Sequence, residues 1–595
     1  ASIVNFGNGF KNYFPVFFWG MPLLFGLIGM YFHVQRDPKM FWVYLSMFLM
    51  MGVLAAVAQN QQEPQPRERD YFYTGSFMVW CLWIGLGVYA IIDYIRKSLG
   101  DASLTTVAGG VTVVALIAVP VNMAAGGWKI HTRAGNYLPF DYSYNILQSC
   151  EKDAILFTNG DNDTFPLWYL QDVAGIRRDV RVVNLSLGNT LWYLDQLKNL
   201  EPWGAKKVPL TFSDESLRAN ENDPEALSYS FEPEKNISIP VDKALLAKYG
   251  ADSATMSKGT MDFVFTGHAF REEQGKKMYI VQVQDKLILN ILQNVKFTRP
   301  VYFSTTSGYP GSETFVGLSD FLRLEGMAYR ICPTRQRGAM QGLSVDEKIM
   351  DQCLMQTVAD DFASPEPKYG FKFRGLNNPD VYFDEHHRNY IDSYRRIFIQ
   401  YAGYMAQSKR DAKKTVAILD KMVNSISLEQ LEMDYLDLQN VADLYLSCGE
   451  AAKASKIGKY IVDLTQTVLD KPELRQQEPY LRTPEAYRYY HPALYQCDAY
   501  TVMGDEKAAK AALEKYKADV GSDPRALYRA ESIGIRVLAA KGNAGEAFKK
   551  AQELYQRVPT MPNGMMLMQE ASKLLSDMAL ASGNPNPVPP MMLGM

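Results

Sequence analysis

The sequence predicts a multi-domain membrane protein: a transmembrane helix bundle, then an α/β domain, then an all-α domain of tetratricopeptide-like helical repeats. Three observations carry this. Four stretches, Phe14 to Phe32, Phe41 to Ala58, Tyr71 to Ile92 and Leu104 to Ala125, are apolar and free of charge, and nothing after Gly126 matches them. Short apolar runs then alternate with polar turns and helical patterns to about Thr306, and from about Asn389 the pattern is continuously helical.

Each of the four stretches approaches or exceeds the roughly 20 apolar residues that a helix rising about 1.5 Å per residue needs to cross a bilayer core. Buried helices of a soluble protein usually keep a polar stripe, which these lack. Whole-chain averages conceal the division: over 595 residues the net charge is -3 and the mean hydropathy -0.18, because the long remainder dilutes the anchor. Length and pattern together give residues 1–125 as four transmembrane helices, 126–375 as an α/β domain, 376–581 as the helical domain and 582–595 as a disordered tail. Glu201 to Ser257, rich in Pro, Asp, Glu, Asn and Ser, is expected to be an insertion with little regular structure.

The near-neutral charge gives no support to nucleic-acid binding, which requires a basic patch or stripe. Six cysteines are scattered without a CxxC pair, so neither a zinc site nor a disulfide framework is indicated. Charge does not orient the bundle either. Arg36, Lys39, Arg96 and Lys97 share one side and Lys11, Arg67, Arg69, Lys129 and Arg133 the other, four against five. The chain begins Ala-Ser-Ile-Val with no initiator Met and no cleavable signal pattern, and is expected to be the C-terminal portion of a longer membrane protein.

Two segments carry candidate chemistry. The connection Gln59 to Asp70 holds Pro64 and Pro66, which forbid a helix, and then alternates Arg67, Glu68, Arg69 and Asp70 before the aromatics Tyr71, Phe72 and Tyr73. Guanidinium forks bind phosphate oxygens and aromatic faces stack on sugar rings, so the loop suits a donor phosphate and sugar; a solvated loop with interfacial anchors has the same composition. The second segment follows the apolar run Ala154 to Thr158 with the turn Asn159-Gly160-Asp161-Asn162-Asp163-Thr164, a helix from Phe165 and a second strand within Val180 to Leu187. In such a βαβ unit ligands sit beyond the carboxyl ends of the strands, where Asp161 and Asp163 fall. They are candidates for sugar hydroxyls or a metal, while Asp163 or Thr164 is equally the expected N-cap of a helix with Pro166 in its first turn. An EF-hand loop is excluded, since Phe165 and Pro166 stand where an oxygen ligand and a glycine are needed.

Further along, Tyr279 to Val283 and Pro300 to Ser304 are expected strands, with Asp285 capping a helix through Asn294. His268 is isolated from other ligands, and the adjacent His386 and His387 point about 100° apart on a helix, with no HExxH spacing. In the helical domain Gly449-Glu450, Gly504-Asp505 and Gly542-Asn543 each end one helix and precede alanine-rich runs that permit close packing. Their spacings of 55 (504 minus 449) and 38 (542 minus 504) are irregular, but the second is near the roughly 34-residue period of tetratricopeptide hairpins, which stack into a surface suited to gripping peptides; purely structural packing fits as well.

Gln59 to Gly75, Asn159 to Tyr169, Val180 to Ser186 and Arg299 to Phe303 resemble the large membrane proteins of Bacteroidetes related to transmembrane protein O-mannosyltransferases, of the type C glycosyltransferase superfamily. The resemblance covers nearly the whole chain. It implies transfer of a sugar, mannose among the candidates, from a polyprenyl-linked donor to a protein acceptor at the outer face of the bacterial inner membrane, with the soluble domains in the periplasm. It implies no nucleotide cofactor, and with it the residue chemistry above gives donor contacts at Arg67, Glu68, Arg69 and Asp70 and substrate contacts at Asp161 and Asp163 as the expected site. The family's expected catalytic acid lies in an Asp-Ser-Gly-Glu-like motif that this chain lacks, so the catalytic residue is expected upstream. A membrane-anchored helical-repeat scaffold without catalysis is the rival expectation, and a cytoplasmic nucleotide-sugar transferase built on Asp161-Asn162-Asp163 the third.

Overall fold

The computed structural model describes the chain except for residues 1–19, 61–69, 100–103, 220–222, 224–225, 274–275, 310, 337–343, 357–365, 472–473, 476–480, 522, 562–563 and 584–595. It divides into two compact units. The first holds the residues up to Ala134 with the short segments Pro379–His386 and Lys471–Tyr487, the second the remainder.

In the first unit three helices, Pro38–Gln59, Tyr71–Ser98 and Thr105–Lys129, are long and apolar enough to cross a membrane. Of the first predicted span, residues 14–19 lie outside the described residues, and the helix runs over the 16 residues Met21–Arg36. It packs on the Tyr71–Ser98 helix through glycines: a Cβ on Gly29 would fall 1.8 Å from the Trp83 carbonyl oxygen, and one on Gly87 2.0 Å from that of Phe25. Helices in lipid gain little from burying apolar surface against one another, so close backbone approach and interhelical hydrogen bonds hold them. Trp83 donates its Nε1–H to His33 Nδ1 at 3.2 Å. Arg36 and Lys97 meet at the Asp93 carboxylate, at 2.9 and 2.7 Å, so the first and third connections lie at one end of this helix pair.

The second unit opens with α1 (Leu138–Ser149), β1 (Ile155–Thr158), α2 (Asp161–Asp172) and β2 (Arg181–Asn184). Residues 201–257 differ from the expected irregular insertion. They carry the helix Asp214–Arg218, strands β3 (Ser230–Pro233) and β4 (Lys235–Pro240), and the helices Lys243–Lys248 and Ser253–Lys258. The polar residues that suggested disorder are N-caps, since the side chains of Ser213, Asp242 and Asp252 accept from the amides of Ser216, Ala244 and Thr255. The strands find partners far along the chain: β4 pairs with β5 (Thr260–Phe265), and β3 joins a three-stranded sheet with β6 (His268–Glu273) and β7 (Lys276–Val281) in the order β3-β7-β6.

Next come α3 (Val283–Val295), β8 (Val301–Ser304), β9 (Leu322–Glu325), β10 (Ala328–Ile331), β11 (Ser344–Val345) and α4 (Glu347–Leu354). The main sheet has the order β11-β9-β10-β8-β1-β2. Strands β8, β1 and β2 are parallel, Ile155 lying level with both Val301 and Arg181, while β10 runs antiparallel to β8. Every residue of β1, β2 and β8 is buried, so β1 and β8 read as short apolar runs rather than alternating ones, while β2 buries Arg181 and Asn184 along with its two valines. The chain moves from β1 to β2 in one direction and then back across β1 to β8. Right-handed crossovers in opposite directions place α2 and α3 on opposite faces of the sheet.

The C-terminal region is rich in helix. Its first helix, α5 (Glu385–Tyr404), shares hydrogen bonds with the α/β layer: Asn145 donates to the Tyr394 hydroxyl at 3.0 Å, and the Tyr401 hydroxyl to Asp351 at 2.6 Å. Gly449, Gly504 and Gly542 have φ of 81°, 83° and 90°, the left-handed conformation that ends a helix and that glycine adopts without a Cβ clash. Asp505 then caps the helix Glu506–Val520, accepting from the Ala508 amide at 3.0 Å, and Ala454, Ala547 and Ala551 are buried where neighbouring helices approach.

Candidate functional site

Open α/β sheets bind ligands beyond the carboxyl ends of their parallel strands, at the point where successive connections leave in opposite directions. Here that point lies between β1 and β8. The segments that follow the two strands carry Asn159 to Asp163 and the hydroxyl run Ser304-Thr305-Thr306-Ser307.

Asp163, the third residue of α2, joins the two sides. Its Oδ2 accepts from the Asn159 amide at 2.9 Å and the Thr306 hydroxyl at 2.5 Å, and its Oδ1 accepts from the Gly160 amide at 2.8 Å. It thus closes the first turn from the third helical position instead of serving as the N-cap; Gly160 holds that place. The reason is that the turn leaves amides on both Asn159 and Gly160 to satisfy, and a carboxylate one turn on reaches both. Asn184, at the end of β2, donates to Thr164 Oγ1 at 2.8 Å and the Gly160 carbonyl at 3.2 Å. Asp161 is exposed at the first position of α2, where its charge complements the helix dipole. The two predicted aspartates share a turn but not an environment: one is committed to the fold and the other faces solvent.

Sequence spacing did not reveal a second cluster at the same edge. Because α3 runs antiparallel to β8, its N-terminus lies at the carboxyl ends of the strands. Asn189, in the loop after β2, accepts from the Gln284 amide at 3.0 Å and donates to the Gln284 side chain at 3.0 Å. Asp285, the third residue of α3, accepts from the Gln282 amide at 2.8 Å and so closes the first turn as Asp163 does in α2, while Gln282 holds the N-cap place expected of Asp285. Its other oxygen is buried without a protein partner, as is His268 Nε2. Burial pushes the Asp285 carboxyl up to about 6, against the opposing pulls of the Gln282 amide and His268. His268 is not isolated: its Nδ1 lies 3.2 Å from Glu313, 45 residues away in sequence. No group of three or more metal-ligating side chains occurs among the described residues. His387 instead lies 3.4 Å from the Asn136 side-chain amide.

Beside the first turns of α2 is an open groove of about 790 Å³, with Tyr137, Phe140, Phe165, Pro166, Tyr169 and Arg374 among its lining residues. The Arg374 guanidinium stacks over Tyr137 at 4.4 Å and is held by the buried Asp141 carboxylate at 2.6 and 3.0 Å. Burial raises the Asp141 carboxyl even against this pairing with Arg374. Of the predicted donor contacts, Arg67, Glu68 and Arg69 lie outside the described residues, and Asp70 opens the short helix Asp70–Tyr73.

Residues 139–232 and 213–349 match the family model of TMEM260-associated domain 2. The two overlapping matches run from α1 into α4 and so take in the main sheet, its carboxyl edge and most of the groove. No curated protein and no solved structure matches the chain.

Proposed function

We propose that this chain is part of a membrane-embedded glycosyltransferase that moves a sugar, mannose first among the candidates, from a lipid-linked donor to protein acceptors. The observation that carries the reading is the TMEM260-associated match, which begins at residue 139, shortly after the last of three apolar helices ends at Lys129, since that family is O-mannosyltransferase-like. In this reading Arg67, Glu68, Arg69 and Asp70 bind the phosphate and sugar of the donor, and the edge at Asp161 faces the acceptor while Asp163 keeps that edge in shape. The soluble unit lies outside the cytoplasm, Arg36, Lys39, Arg96 and Lys97 face inward, and the helical region receives the acceptor or a partner. A polyprenyl-linked donor needs no nucleotide site.

The test is transfer of labelled mannose from polyprenyl phosphate mannose to endogenous protein, in membranes carrying the otherwise intact protein with Arg67→Ala and Arg69→Ala. Loss of a paired guanidinium–phosphate contact predicts a drop of about tenfold or more. Transfer unchanged in both variants returns the loop to a solvated connection, and transfer unchanged on deletion of the whole gene rejects the enzyme reading in favour of a scaffold.

A further inference from the structure

Helix α2 is apolar on two sides, and only one of them is used by the fold. Leu167 and Leu170 are fully buried, while Phe165 and Tyr169 are 49% and 55% exposed and Val173, at the helix end, is 69% exposed. Phe165, Tyr169 and Val173 recur every four residues, so they form one ridge along the helix. The ridge continues at both ends. Tyr137, 48% exposed, lines the same groove as Phe165 and Tyr169, and Trp203, 59% exposed, donates its indole N–H to Asp172 at 2.5 Å. Arg178 lies over the Trp203 ring at 4.2 Å and donates to the Gln171 and Asp172 carbonyls, so its charge sits at the rim. Exposed Phe, Tyr, Val and Trp side chains that follow one another along a helix and are rimmed by arginine mark a surface suited to an apolar partner.

We infer that this ridge docks on the interfacial layer of the lipid bilayer. Its composition is that of the aromatic belts and in-plane helices found there, where rings occupy the headgroup level and long cationic side chains reach back to water. The occupant follows from covalent continuity. The third membrane-spanning helix ends at Lys129 and its last turn at His131. Six residues later comes Tyr137, and at about 3.5 Å per residue the chain between them reaches no more than roughly 21 Å. Both visible arginines of the surface are already engaged, Arg374 by Asp141 and Arg178 by carbonyls, so docking needs no anionic lipid. The inference rests on the membrane anchor and is independent of sugar transfer.

The experiment uses the full chain in zwitterionic phosphatidylcholine nanodiscs and reads Trp203 fluorescence as the difference between the wild type and Trp203→Phe. Rings buried about 5–10 Å into the interface should lose about half of that signal to lipids brominated near the carbonyl end of the acyl chain and be shielded from aqueous iodide. Val173→Asp, at an exposed position that leaves the fold intact, should reverse both responses. Quenching of wild-type Trp203 by iodide and not by bromolipid overturns the inference. So does protection from both quenchers, which assigns the ridge to a protein partner, or iodide protection that appears only with added methyl mannoside, which assigns it to a sugar.

Discussion

On the inner side of α2, Asp163 and Thr164 are hydrogen-bonded to three separate segments and Leu167 and Leu170 fill the core; on the outer side, Phe165, Tyr169 and Val173 stand in the open. The motif Asn159 to Tyr169 is therefore two motifs interleaved. Its polar part is accounted for by folding, because a turn at a strand end must satisfy its amides. Its aromatic part is only half accounted for, because the fold covers about half of the Phe165 and Tyr169 rings and leaves the other half to whatever lies outside. The same division separates Asp163 from Asp161, two residues apart and opposite in role.

The sharpest way to break this comparison is at Asp163. Asp163→Ala strands the Asn159 and Gly160 amides and the Thr306 hydroxyl, each bound at present to a carboxylate. At about 1.5–3 kcal/mol for each hydrogen bond to a charged group, partly replaced by water because none of the three partners is fully buried, the loss should be about 4 kcal/mol. Asp161→Ala should change stability by less than about 0.5 kcal/mol, as exposed substitutions do. Hydrogen exchange of the β1 and β2 amides measures both. Equal effects at the two positions would remove the distinction between a folding aspartate and a free one.

A smaller effect is expected on the opposite face of the sheet, at Asp285. Its carboxyl is raised to about 6 from the ordinary 3.8, so the folded chain holds this proton more tightly than the unfolded one. The sign follows: this group adds stability as pH falls from 6 towards 4 and loses it as pH rises through 6. The difference is worth up to about 3 kcal/mol. Asp285→Asn should flatten the pH dependence of α3 amide protection between pH 4 and 6. His268→Gln, which deletes a charge that pulls Asp285 down, should move the midpoint upward. A wild-type profile already flat in that window sinks the assignment.

Legibility in the sequence followed the range of the interaction. The membrane helices, β1, β2, β8 and the glycine stops at Gly449, Gly504 and Gly542 are local patterns, set by hydrophobic run length or by one left-handed residue. The strands within 201–257 have no local signature because their partners, β5 and β7, lie beyond the segment and its caps imitate the composition of a loop. The hydroxyl run Ser304 to Ser307 directly after a strand was a visible signal for the carboxyl edge. The contact of His268 with Glu313 had none, since no spacing rule links positions brought together by sheet pairing. The outer ridge of α2 was hidden for a different reason: with apolar residues on both sides, the helix has almost no amphipathic pattern.

The smallest stability effect is the most informative about that ridge. Phe165→Ser together with Tyr169→Ser removes two half-exposed rings that cover little of the core, although Phe165 also stacks on Trp168 at 5.4 Å. The stacked pair contributes about 0.5–1.5 kcal/mol beyond the area that the covered halves of the two rings bury, and the total should stay below the loss at Asp163→Ala. Interfacial contact should fall by far more, because each exposed aromatic contributes its area only when lipid covers it. The comparison is made on one preparation, with thermal unfolding of the soluble unit measured beside bromolipid quenching of Trp203. If the double variant unfolds as readily as Asp163→Ala, the rings belong to the core after all and the two faces of α2 serve one purpose. If it unfolds like the wild type while Trp203 becomes accessible to iodide, the inner face belongs to folding and the outer face to the membrane.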